Sequence, residues 1–415
     1  MNIKKIIARE ILDSKGMPTL EVTAQLEDNS IGIAGVPSGA STGKTEAVEL
    51  RDGDKNRYFG KGVLKAVENV NTIINDLLYG KEAYDQKLID NLMIEADGTE
   101  NKVNFGGNSI VGASIAVCRA AAVAQKLALY KYFAKLTGIN KFILPQSQIL
   151  VLEGGKHGGW STDIQEFFVI PKKEAFATFS DRLRVGAEIF YNLGRILEKK
   201  HYAIGVGFEG AYCPNQISSN EEAFELIIQA TQKAGYSLPG QVVLGVDAAA
   251  SEFYQDGKYR NYSKNEWLEK IINWTEKYPL WSLEDMHNQE DWQGWIDLTV
   301  KVGTRVQIIG DDLLTTNPAR IQKAIDKKAC NSVLIKLNQI GTVTETLQAI
   351  KLSHKAGFTT VISHRGGETN DDTIADLVVG SGSWQCKFGG PDRGERLAKY
   401  NRLLEIEQEI NGKNN

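Results

Sequence analysis

The sequence predicts an α/β protein in which a (β/α) barrel follows a smaller N-terminal α+β capping domain. A chain of 415 residues is long enough for two domains. Its first third places strand patterns before helical ones. The remainder repeats a short apolar run that ends in a polar or charged cluster and precedes a helical pattern, as βα units do. We expect the domains to span residues 1–138 and 139–415.

The predicted capping domain carries its strand signals first. The stretches "LEVTAQLED" and "SIGIAGV" place β-branched residues between turn formers, which favours a sheet. Apolar residues at helical spacing follow in "VLKAVENVNTIINDLLYG", and "SIVGASIAVCRAAAVAQKLALYKYFAKL" predicts a long, Ala-rich helical stretch with an interruption. Strands followed by helices are typical of a compact α+β domain.

The second part of the chain repeats its pattern at intervals of roughly 23 to 37 residues, close to the length of a βα unit. The runs are VVLGVD, LWSLED, VQIIGDD, SVLIK, TTVISHR and the weaker SWQCKFGG, which carry Asp247, Glu284, Asp311, Lys336, His364 and Lys387. Eight βα units, about 250 residues, form a barrel whose chemistry lies at the carboxyl ends of the strands. Periodicity does not separate this barrel from a doubly wound open sheet, which is the alternative.

Composition narrows the classes of function. The net charge is −4 and no long Lys/Arg block occurs, so nothing indicates a nucleic-acid or anionic-membrane ligand. The four cysteines form no C-x-x-C pair, which predicts neither a disulfide framework nor a thiol-metal site. No signal-peptide or membrane-spanning pattern is recognisable, and we expect a cytoplasmic protein.

Asp247, Glu284 and Asp311 end successive predicted strands. A single acid at such a position is commonly a helix cap or a solvated loop residue. Three on one rim of a barrel would repel one another and raise one another's pKa unless a cation neutralises them. Carboxylates without nearby Cys or His select a hard ion, so we predict a Mg²⁺ site. Strand alternation predicts that only one member of each acid doublet, Glu284-Asp285 and Asp311-Asp312, is a ligand.

Lys336 interrupts the apolar run of "SVLIKLNQ". If Ile335 and Leu337 face the surrounding helices, the lysine points into the barrel, where an unpaired lysine is rare. Lys336 either pairs structurally with an acid or, deprotonated by its surroundings and a metal, acts as a general base. A metal held by carboxylates opposite a lysine base suits proton abstraction next to a carboxylate, with the metal stabilising the enediolate.

The stretch "GVPSGASTGKT" is similar to a P-loop, which reads G-x-x-x-x-G-K-[ST]. Gly43-Lys44-Thr45 closes that motif, but Ser38 stands where its first glycine belongs. The helix that should follow would reach Gly53 after only about two turns. These differences argue against a phosphate-binding loop.

Ordered motifs along nearly the whole chain resemble those of the enolase family. They include "DSKGMPT", "VPSGASTG", "LRDGDK", "DGTENK", "DIQEF", "IGDDL", "LIKLNQIGT", "ISHR" and "ERLAKYN". The resemblance implies a modified TIM-type (β/α)8 barrel with an N-terminal α+β capping domain. It also implies a Mg²⁺-dependent glycolytic enzyme that interconverts 2-phospho-D-glycerate and phosphoenolpyruvate, and a homodimer or larger homo-oligomer.

The resemblance assigns roles residue by residue. Asp247, Glu284 and Asp311 would hold one Mg²⁺, and the lid residue Ser41 would meet a second Mg²⁺ recruited with the substrate. Lys336 would take the C2 proton, and Glu209 would protonate the departing C3 hydroxyl. The substrate-binding set that it implies is His157, Gln165, Glu166, Glu284, Asp311, Lys336, His364, Arg365, Gly366 and Lys387. Because Gln165 and Glu166 are adjacent on a predicted strand, we expect only one of them to face the substrate directly.

Several residues near this site depart from the family pattern. Phe208 stands where an acid usually precedes Glu209, which removes a like charge and adds an apolar ring beside the predicted acid. Gly366 stands where a serine usually contacts phosphate. The other departures are Ala211, Lys15, and Glu153, Lys156 and Gly158 in "EGGKHGG". None of them removes a predicted metal ligand, base or acid.

Two alternative functions stay open at the level of sequence. A divergent paralogue with weak activity would act as a surface or secreted binding protein of the plasminogen-binding type, which uses C-terminal lysines. Here Lys413 lies two residues before the end of the chain, which weakens that reading. A lyase for another 2-hydroxy acid is the second alternative, and the predicted phosphate contact of Arg365 argues against it.

The lid interpretation makes a prediction that separates it from the P-loop. We expect Ser41→Ala to lower turnover without affecting folding, because the hydroxyl would meet the second metal on closure. We expect Lys44→Ala to change turnover little. Steady-state kinetics on both variants check this, and an essential Lys44 would contradict the lid.

Overall fold

The computed structural model describes residues 1–39 and 45–412, so Ser41 and Lys44 lie outside the described residues. The chain opens with three antiparallel strands in the order β1-β2-β3. Their bounds are Ile3–Leu12 (β1), Pro18–Leu26 (β2) and Ile31–Gly35 (β3). The helices that follow are Leu64–Asn69 (α1), which continues through a π-helical turn into Asn75–Leu78 (α2), Gln86–Asp97 (α3), Gly107–Ala124 (α4) and Leu129–Thr137 (α5).

Helix α4 is the core helix of this first unit and packs on β2 and β3. Two glycines make the close approach possible. A Cβ at Gly32 would lie 2.1 Å from the carbonyl oxygen of Ala116, and one at Gly112 would lie 2.6 Å from a Val22 methyl group. By length and composition alone α4 could cross a membrane, but 83% of it is buried inside the protein. Its apolar character therefore belongs to the core of the domain.

A nine-stranded sheet forms the second unit. Its strands are Gln146–Ser147 (β4), Ile149–Glu153 (β5), Glu166–Pro171 (β6), Val242–Asp247 (β7), Leu280–Glu284 (β11), Gln307–Gly310 (β12), Ser332–Ile335 (β13), Thr359–Ser363 (β14) and Gln385–Lys387 (β15). The outer helices are Phe179–Lys199 (α6), Asn220–Lys233 (α7), Lys264–Lys277 (α8), Trp292–Val302 (α9), Pro318–Lys327 (α10), Val343–Lys355 (α12), Thr373–Gly380 (α13) and Gly394–Ile410 (α14), with the short Leu337–Ile340 (α11) directly after β13. A small separate sheet comprises Tyr254–Gln255 (β8), Lys258–Tyr259 (β9) and Tyr262–Ser263 (β10).

The large sheet curls into a barrel. Its strand order is β4-β15-β14-β13-β12-β11-β7-β6-β5, and only Gln148 separates β4 at one end from β5 at the other. Backbone hydrogen bonds from Gln148 to Cys386 and from Leu150 to Gly389 complete the closure. The sequence-based prediction of a barrel with an N-terminal capping domain is therefore confirmed, and the open doubly wound sheet is wrong.

One strand of the barrel runs in reverse, which the βα periodicity did not predict. Strand β6 is antiparallel to both β5 and β7, whereas the other neighbouring pairs of the barrel are parallel. The amino end of β6 therefore lies at the same rim as the carboxyl ends of the other strands. Glu166 is the first residue of β6 and pairs in register with Asp247, the last residue of β7. Reversal thus brings Glu166 to the rim where barrel chemistry takes place.

The six apolar runs singled out in the sequence are all strands of this barrel, β7 and β11 to β15. The interruption of the Ala-rich stretch lies between α4 and α5, as expected. The long first strand, β1, was not among the predicted elements. Its sequence IKKIIAREIL alternates exposed and buried positions only in part, which weakens the period-2 signal.

The structure also excludes a P-loop at residues 38–45. Such a motif requires a helix that begins at its final Lys-Thr, and residues 45–57, all of them described, contain no helix. Ser38 instead exchanges backbone hydrogen bonds with Gly367 and donates its hydroxyl to Asp13. The segment before the predicted lid is therefore tied to the loop that follows β14.

Candidate active site

A polar cavity opens at the rim where the strands of the barrel end. The lining comes from the ends of β7, β11, β12, β13, β14 and β15, from the start of β6, and from two long loops of the chain. Its side chains are His157, Gln165, Glu166, Glu209, Asp247, Asp285, Asp311, Asp312, Lys336, Ser363, His364, Arg365 and Lys387, with the backbone of Ala249 and Gly366. The structure therefore gathers in one cavity nearly every described residue that the sequence singled out. Glu284 does not line it but contacts Lys387 directly below.

Lys387 is the centre of the deepest part of the site. Its ammonium lies 2.7 Å from Asp247 Oδ2, 2.7 Å from Glu284 Oε1 and 3.1 Å from Glu166 Oε2. Burial opposes the charge of Lys387, but the three carboxylates outweigh burial and raise its pKa well above the usual value. Conversely, burial and Asp247 raise the pKa of Glu284 despite Lys387. One cation thus contacts three acids.

Lys336 lies at the end of β13 and contacts a different acid. Its Nζ lies 2.5 Å from Asp311 Oδ2, while Asp311 Oδ1 accepts a hydrogen bond from Gln339 at 2.9 Å. Burial would raise the pKa of Asp311, but the Lys336 ammonium outweighs burial and lowers it. The same pair raises the pKa of Lys336 against burial. In this arrangement Lys336 is a cation held at the cavity wall.

In Asp311-Asp312 both members line the cavity, which differs from the prediction that one faces away, whereas in Glu284-Asp285 only Asp285 lines it. Asp285 follows the end of β11 with a positive φ of 43°, so strand alternation no longer applies to it. Its carboxylate accepts hydrogen bonds from the backbone N–H groups of Asp311 and Asp312 at 2.9 and 2.8 Å. Asp285, Asp311 and Asp312 consequently have ligand atoms within 4.8 Å of one another. Burial and Asp311 raise the pKa of Asp312 to about 7.

Glu209 also lines the cavity, lies in the loop between α6 and α7, and is 5% exposed. His364 Nε2 lies 3.2 Å from Glu209 Oε2, and Arg396 donates to His364 Nδ1 at 2.6 Å. Because arginine only donates, the neutral imidazole carries its proton on Nε2, facing Glu209. Burial lowers the pKa of His364 to about 4, consistent with this neutral form. Burial raises the pKa of Glu209, but His364, His157 and Arg396 outweigh it and lower the pKa.

The loop that carries His157 covers one side of the cavity. One ligand atom of each of His157, Glu166 and Glu209 lies within 4.8 Å of the others. Phe208, half-exposed, meets the imidazole of His157 edge to face, with ring centroids 6.3 Å apart. Gln165 and Glu166 both line the cavity, which differs from the expectation that only one would, because Gln165 lies just before β6 and is not bound by strand alternation.

Arg365 follows β14 and is almost fully buried. Both of its terminal nitrogens lie 3.0 Å from Glu46 Oε2, and Nη1 also donates to Asn338 Oδ1 at 2.9 Å. Glu46 belongs to the first domain, just after the predicted lid, so this ion pair ties the cap to the barrel. The neighbouring Gly366 lines the cavity through its backbone, and its carbonyl accepts from Arg396.

Two family models match the chain in order. The enolase N-terminal domain matches residues 3–133, and the enolase C-terminal TIM barrel domain matches residues 141–415. Together they cover nearly the whole sequence. The chain belongs to the enolase family. Membership in this family implies an enzyme of the lyase class, a hydro-lyase, and a small-molecule substrate.

Some partners of the cavity residues were not predicted. Glu46, Gln339 and Arg396 hold Arg365, Asp311 and His364, respectively. Each of the three stands in or beside a family motif quoted above, but a motif does not say which side chain its residue contacts. Glu153, noticed only as a departure, is fully buried beside Glu209.

The donor set fits a hard divalent cation. Asp247, Glu284 and Asp311 lie at the ends of three neighbouring strands, and Glu284 Oε2 is buried without a hydrogen-bond partner among the described residues. Burial and Asp247 raise the pKa of Glu284, which indicates that this position lacks positive charge. Carboxylate oxygens with no sulfur ligand nearby are the set that Mg²⁺ prefers.

We expect Mg²⁺ to stabilise the metal-stripped protein against unfolding. A ligand that binds only the native state stabilises it by about 2.7 kcal/mol at one hundred times its Kd. Asp247→Asn should weaken Mg²⁺ binding at least about tenfold, because it removes one of few charged ligands. Calorimetric titration and thermal unfolding measure both effects. The control Asp297→Asn, on the outer helix α9, should bind Mg²⁺ as the wild type does.

Proposed function

We propose that this protein is a glycolytic enolase, a phosphopyruvate hydratase that reversibly dehydrates 2-phospho-D-glycerate to phosphoenolpyruvate. The observation that carries the proposal is the placement of Lys336 and Glu209. They reach one cavity from different segments of the barrel, Lys336 from the end of β13 and Glu209 from the loop between α6 and α7. A base and an acid that line one cavity suit an elimination that removes a proton and a hydroxyl from adjacent carbons.

Lys336 is proposed as the base that takes the proton from C2. To do so it must first lose its own proton, and its contact with Asp311 opposes that loss. When bound, Mg²⁺ would neutralise the carboxylates and stabilise the extra negative charge on the substrate carboxylate. Competition for Asp311 would then release Lys336 from the partner that keeps it protonated.

Glu209 is proposed as the acid that gives a proton to the departing C3 hydroxyl, which leaves as water. Neutral His364, locked by Arg396, orients the carboxyl of Glu209. Lys387 and Arg365 supply positive charge in the same cavity and are proposed to bind the carboxylate and the phosphate. Each already has acidic partners, so the substrate must compete with Glu46 for Arg365.

The test is Mg²⁺-dependent formation of phosphoenolpyruvate from 2-phosphoglycerate, followed by absorbance. We expect turnover that disappears with chelator and returns with Mg²⁺. No turnover from folded, Mg²⁺-loaded protein would overturn the proposal. Turnover of an unphosphorylated 2-hydroxy acid in place of 2-phosphoglycerate would favour the alternative lyase.

We further propose a cytoplasmic homo-oligomer. The outer face of the N-terminal sheet supports self-association, because Ile7 and Ile33 flank Thr23 in register and are each more than 40% exposed. Exposed apolar side chains grouped on one sheet face are typical of a protein–protein contact.

A further inference from the structure

Glu153 is a buried acid that the proposed reaction does not use. It is the last residue of β5 and is completely inaccessible to solvent. Its Oε1 accepts hydrogen bonds from the backbone N–H groups of Glu209 and Ala211, at 3.1 and 3.2 Å. Glu153 therefore holds the turn that presents Glu209 to the cavity. Glu153 is one of the departures from the family pattern, and its carboxyl can also carry a proton.

The second oxygen of Glu153 points at His157. Glu153 Oε2 lies 3.6 Å from His157 Nδ1, and neither atom has a hydrogen-bond partner among the described residues. The carboxyl is completely buried and the imidazole is only 10% exposed. Two facing buried polar atoms left unpaired are rare unless a proton or a small shift connects them.

Two glycines make room for this pair. A Cβ at Gly207 would lie 2.3 Å from Glu153 Oε2, so a side chain there would displace the carboxyl. A Cβ at Gly158 would lie 2.7 Å from Gly154 Cα, so Gly158 lets the His157 loop pack closely onto the end of β5. Gly158 is itself a departure from the family pattern. The packing therefore accommodates Glu153 specifically.

The surroundings of Glu153 favour its neutral form. Burial, then the charge of Glu209, raise the pKa of Glu153 to about 8, while the amides of Ala211 and Glu209 and the Arg396 guanidinium lower it in part. The other titratable groups that face it are His157, Cys213 on the same loop cluster, and Glu166 across the strand pair. At neutral pH the site thus contains a protonated Glu153 beside an ionised Glu209.

We propose that Glu153 and His157 form a proton-supplying pair that loads Glu209 for release of the C3 hydroxyl. Glu153 is a positioning residue that acts through His157 and Glu209 and does not touch substrate. This inference rests on the proposed enolase function.

The transfer balances in protons. Glu153 Oε2–H gives its proton to His157 Nδ1, and His157 gives the proton on Nε2 to the Glu209 carboxylate. Glu209 then donates to the C3 oxygen as the C–O bond breaks, and the hydroxyl leaves as water. After product release, His157, the more exposed member of the pair, takes a proton from solvent on Nε2 and returns its Nδ1 proton to Glu153, which restores the starting state. In the hydration direction every transfer runs in reverse.

The decisive variant is Glu153→Gln. Glutamine still accepts the hydrogen bonds from the backbone N–H groups of Glu209 and Ala211 but has no carboxyl proton to give. The variant therefore separates the supply of a proton from the positioning of the Glu209 turn. We expect Glu153→Gln to lower kcat for phosphoenolpyruvate formation about 10- to 100-fold. Exchange of the C2 hydrogen with deuterated solvent, which reports only the step of Lys336, should change less than about twofold.

The pH profile gives a readout that a structural role would not move. In the wild type, kcat for dehydration should fall above about pH 8, as Glu153 loses its proton. Glu153→Gln should lose this alkaline limb. The control Asp90→Asn changes a buried acid with a raised pKa of about 6 far from the cavity, and it should keep the wild-type profile. Wild-type dehydration rate and pH profile in Glu153→Gln would overturn the proposal, as would an equal loss of exchange and dehydration.

Protonation of Glu153 is testable without substrate or metal. In metal-free protein with carboxyl-labelled glutamate, one ¹³C resonance should titrate near pH 8 and be absent from Glu153→Gln. A Glu153 resonance that titrates near the ordinary value of 4.5 would overturn the proposal. If the wild type lacks enolase turnover but this resonance titrates near pH 8, the proposed enolase function is wrong, whereas the proposed protonation of buried Glu153 is supported.

The same shift predicts how stability depends on pH. The native state retains the Glu153 proton up to about pH 8, whereas the unfolded state releases it near 4.5, so wild-type stability declines between these values as pH rises. Glu153→Gln removes this contribution. Its unfolding midpoint should rise relative to the wild type from pH 5 to pH 8 and run parallel to it above that range.

Discussion

Lys336→Ala is expected to abolish both turnover and exchange of the substrate C2 hydrogen with solvent. If Lys336 is the base, its removal leaves no group at the end of β13 to take the proton, and the loss should be on the order of 10³- to 10⁴-fold. The measurements are phosphoenolpyruvate formation by absorbance and C2 exchange by NMR in deuterated water. Both should fall together, because exchange precedes release of the hydroxyl.

Lys336→Arg is the matched variant, because it separates charge from basicity. Arginine keeps a cation beside Asp311 but does not give up its proton at neutral pH. We expect the arginine variant to fold as the wild type does and to be as inactive as Lys336→Ala. Substantial exchange in Lys336→Arg would show that Lys336 is a structural partner of Asp311 and that another group is the base.

Glu209→Gln is expected to stop release of the hydroxyl while leaving C2 exchange in place. Glutamine preserves the shape of the side chain at the His364 contact but carries no transferable proton. Phosphoenolpyruvate formation should fall on the order of 10²- to 10⁴-fold. C2 exchange, which needs only Lys336, should stay within about threefold of the wild type, as seen by NMR in deuterated water.

The contrast between these two variants is itself a test of the assignment. Loss of exchange in Lys336→Ala and its retention in Glu209→Gln would place the base and the acid in separate steps. If Glu209→Gln lost exchange and dehydration equally, Glu209 would support the whole site and would not be the acid. His364→Asn is a useful companion, because it keeps a side-chain N–H near Glu209 without an imidazole.

Electrostatics explains why the site gathers so many buried charges. Burial and neighbouring acids raise the pKa of Glu166 and Glu284, and Lys387 offsets only part of this. Buried acids of this kind destabilise a fold unless a cation completes the set. The excess of carboxylates is therefore a property of a site prepared for positive charge, which we propose is Mg²⁺.

Much of the fold could be predicted from the sequence, because an apolar run that ends in a charged residue is a local pattern typical of a strand. The strands that end at Asp247, Glu284 and Ile335 were each predicted from such a run. The reversal of β6 was not, since a strand's direction depends on its neighbours in space. This reversal places Glu166, the first residue of its strand, beside acids that stand at the carboxyl ends of their strands.

The candidate site could likewise be predicted only in part. Residue types and order were enough to single out Lys336 and Glu209, because ionisable groups within family motifs are recognisable one at a time. The contacts that shape the rest of the site could not be predicted. Asp285 accepts a hydrogen bond from the backbone that follows β12, and Arg396 fixes the tautomer of His364, each from a segment distant in the sequence.

Glu153 shows most clearly what the sequence alone does not predict. In the sequence it was one substitution among several, with no sign of what it contacts. Only the tertiary structure places its carboxyl under the Glu209 turn and against His157, in a space left open by Gly207. The sequence alone thus determined the fold class and the chemistry available at the rim. Which carboxyl holds a proton was decided by burial and by neighbours that only the folded chain supplies.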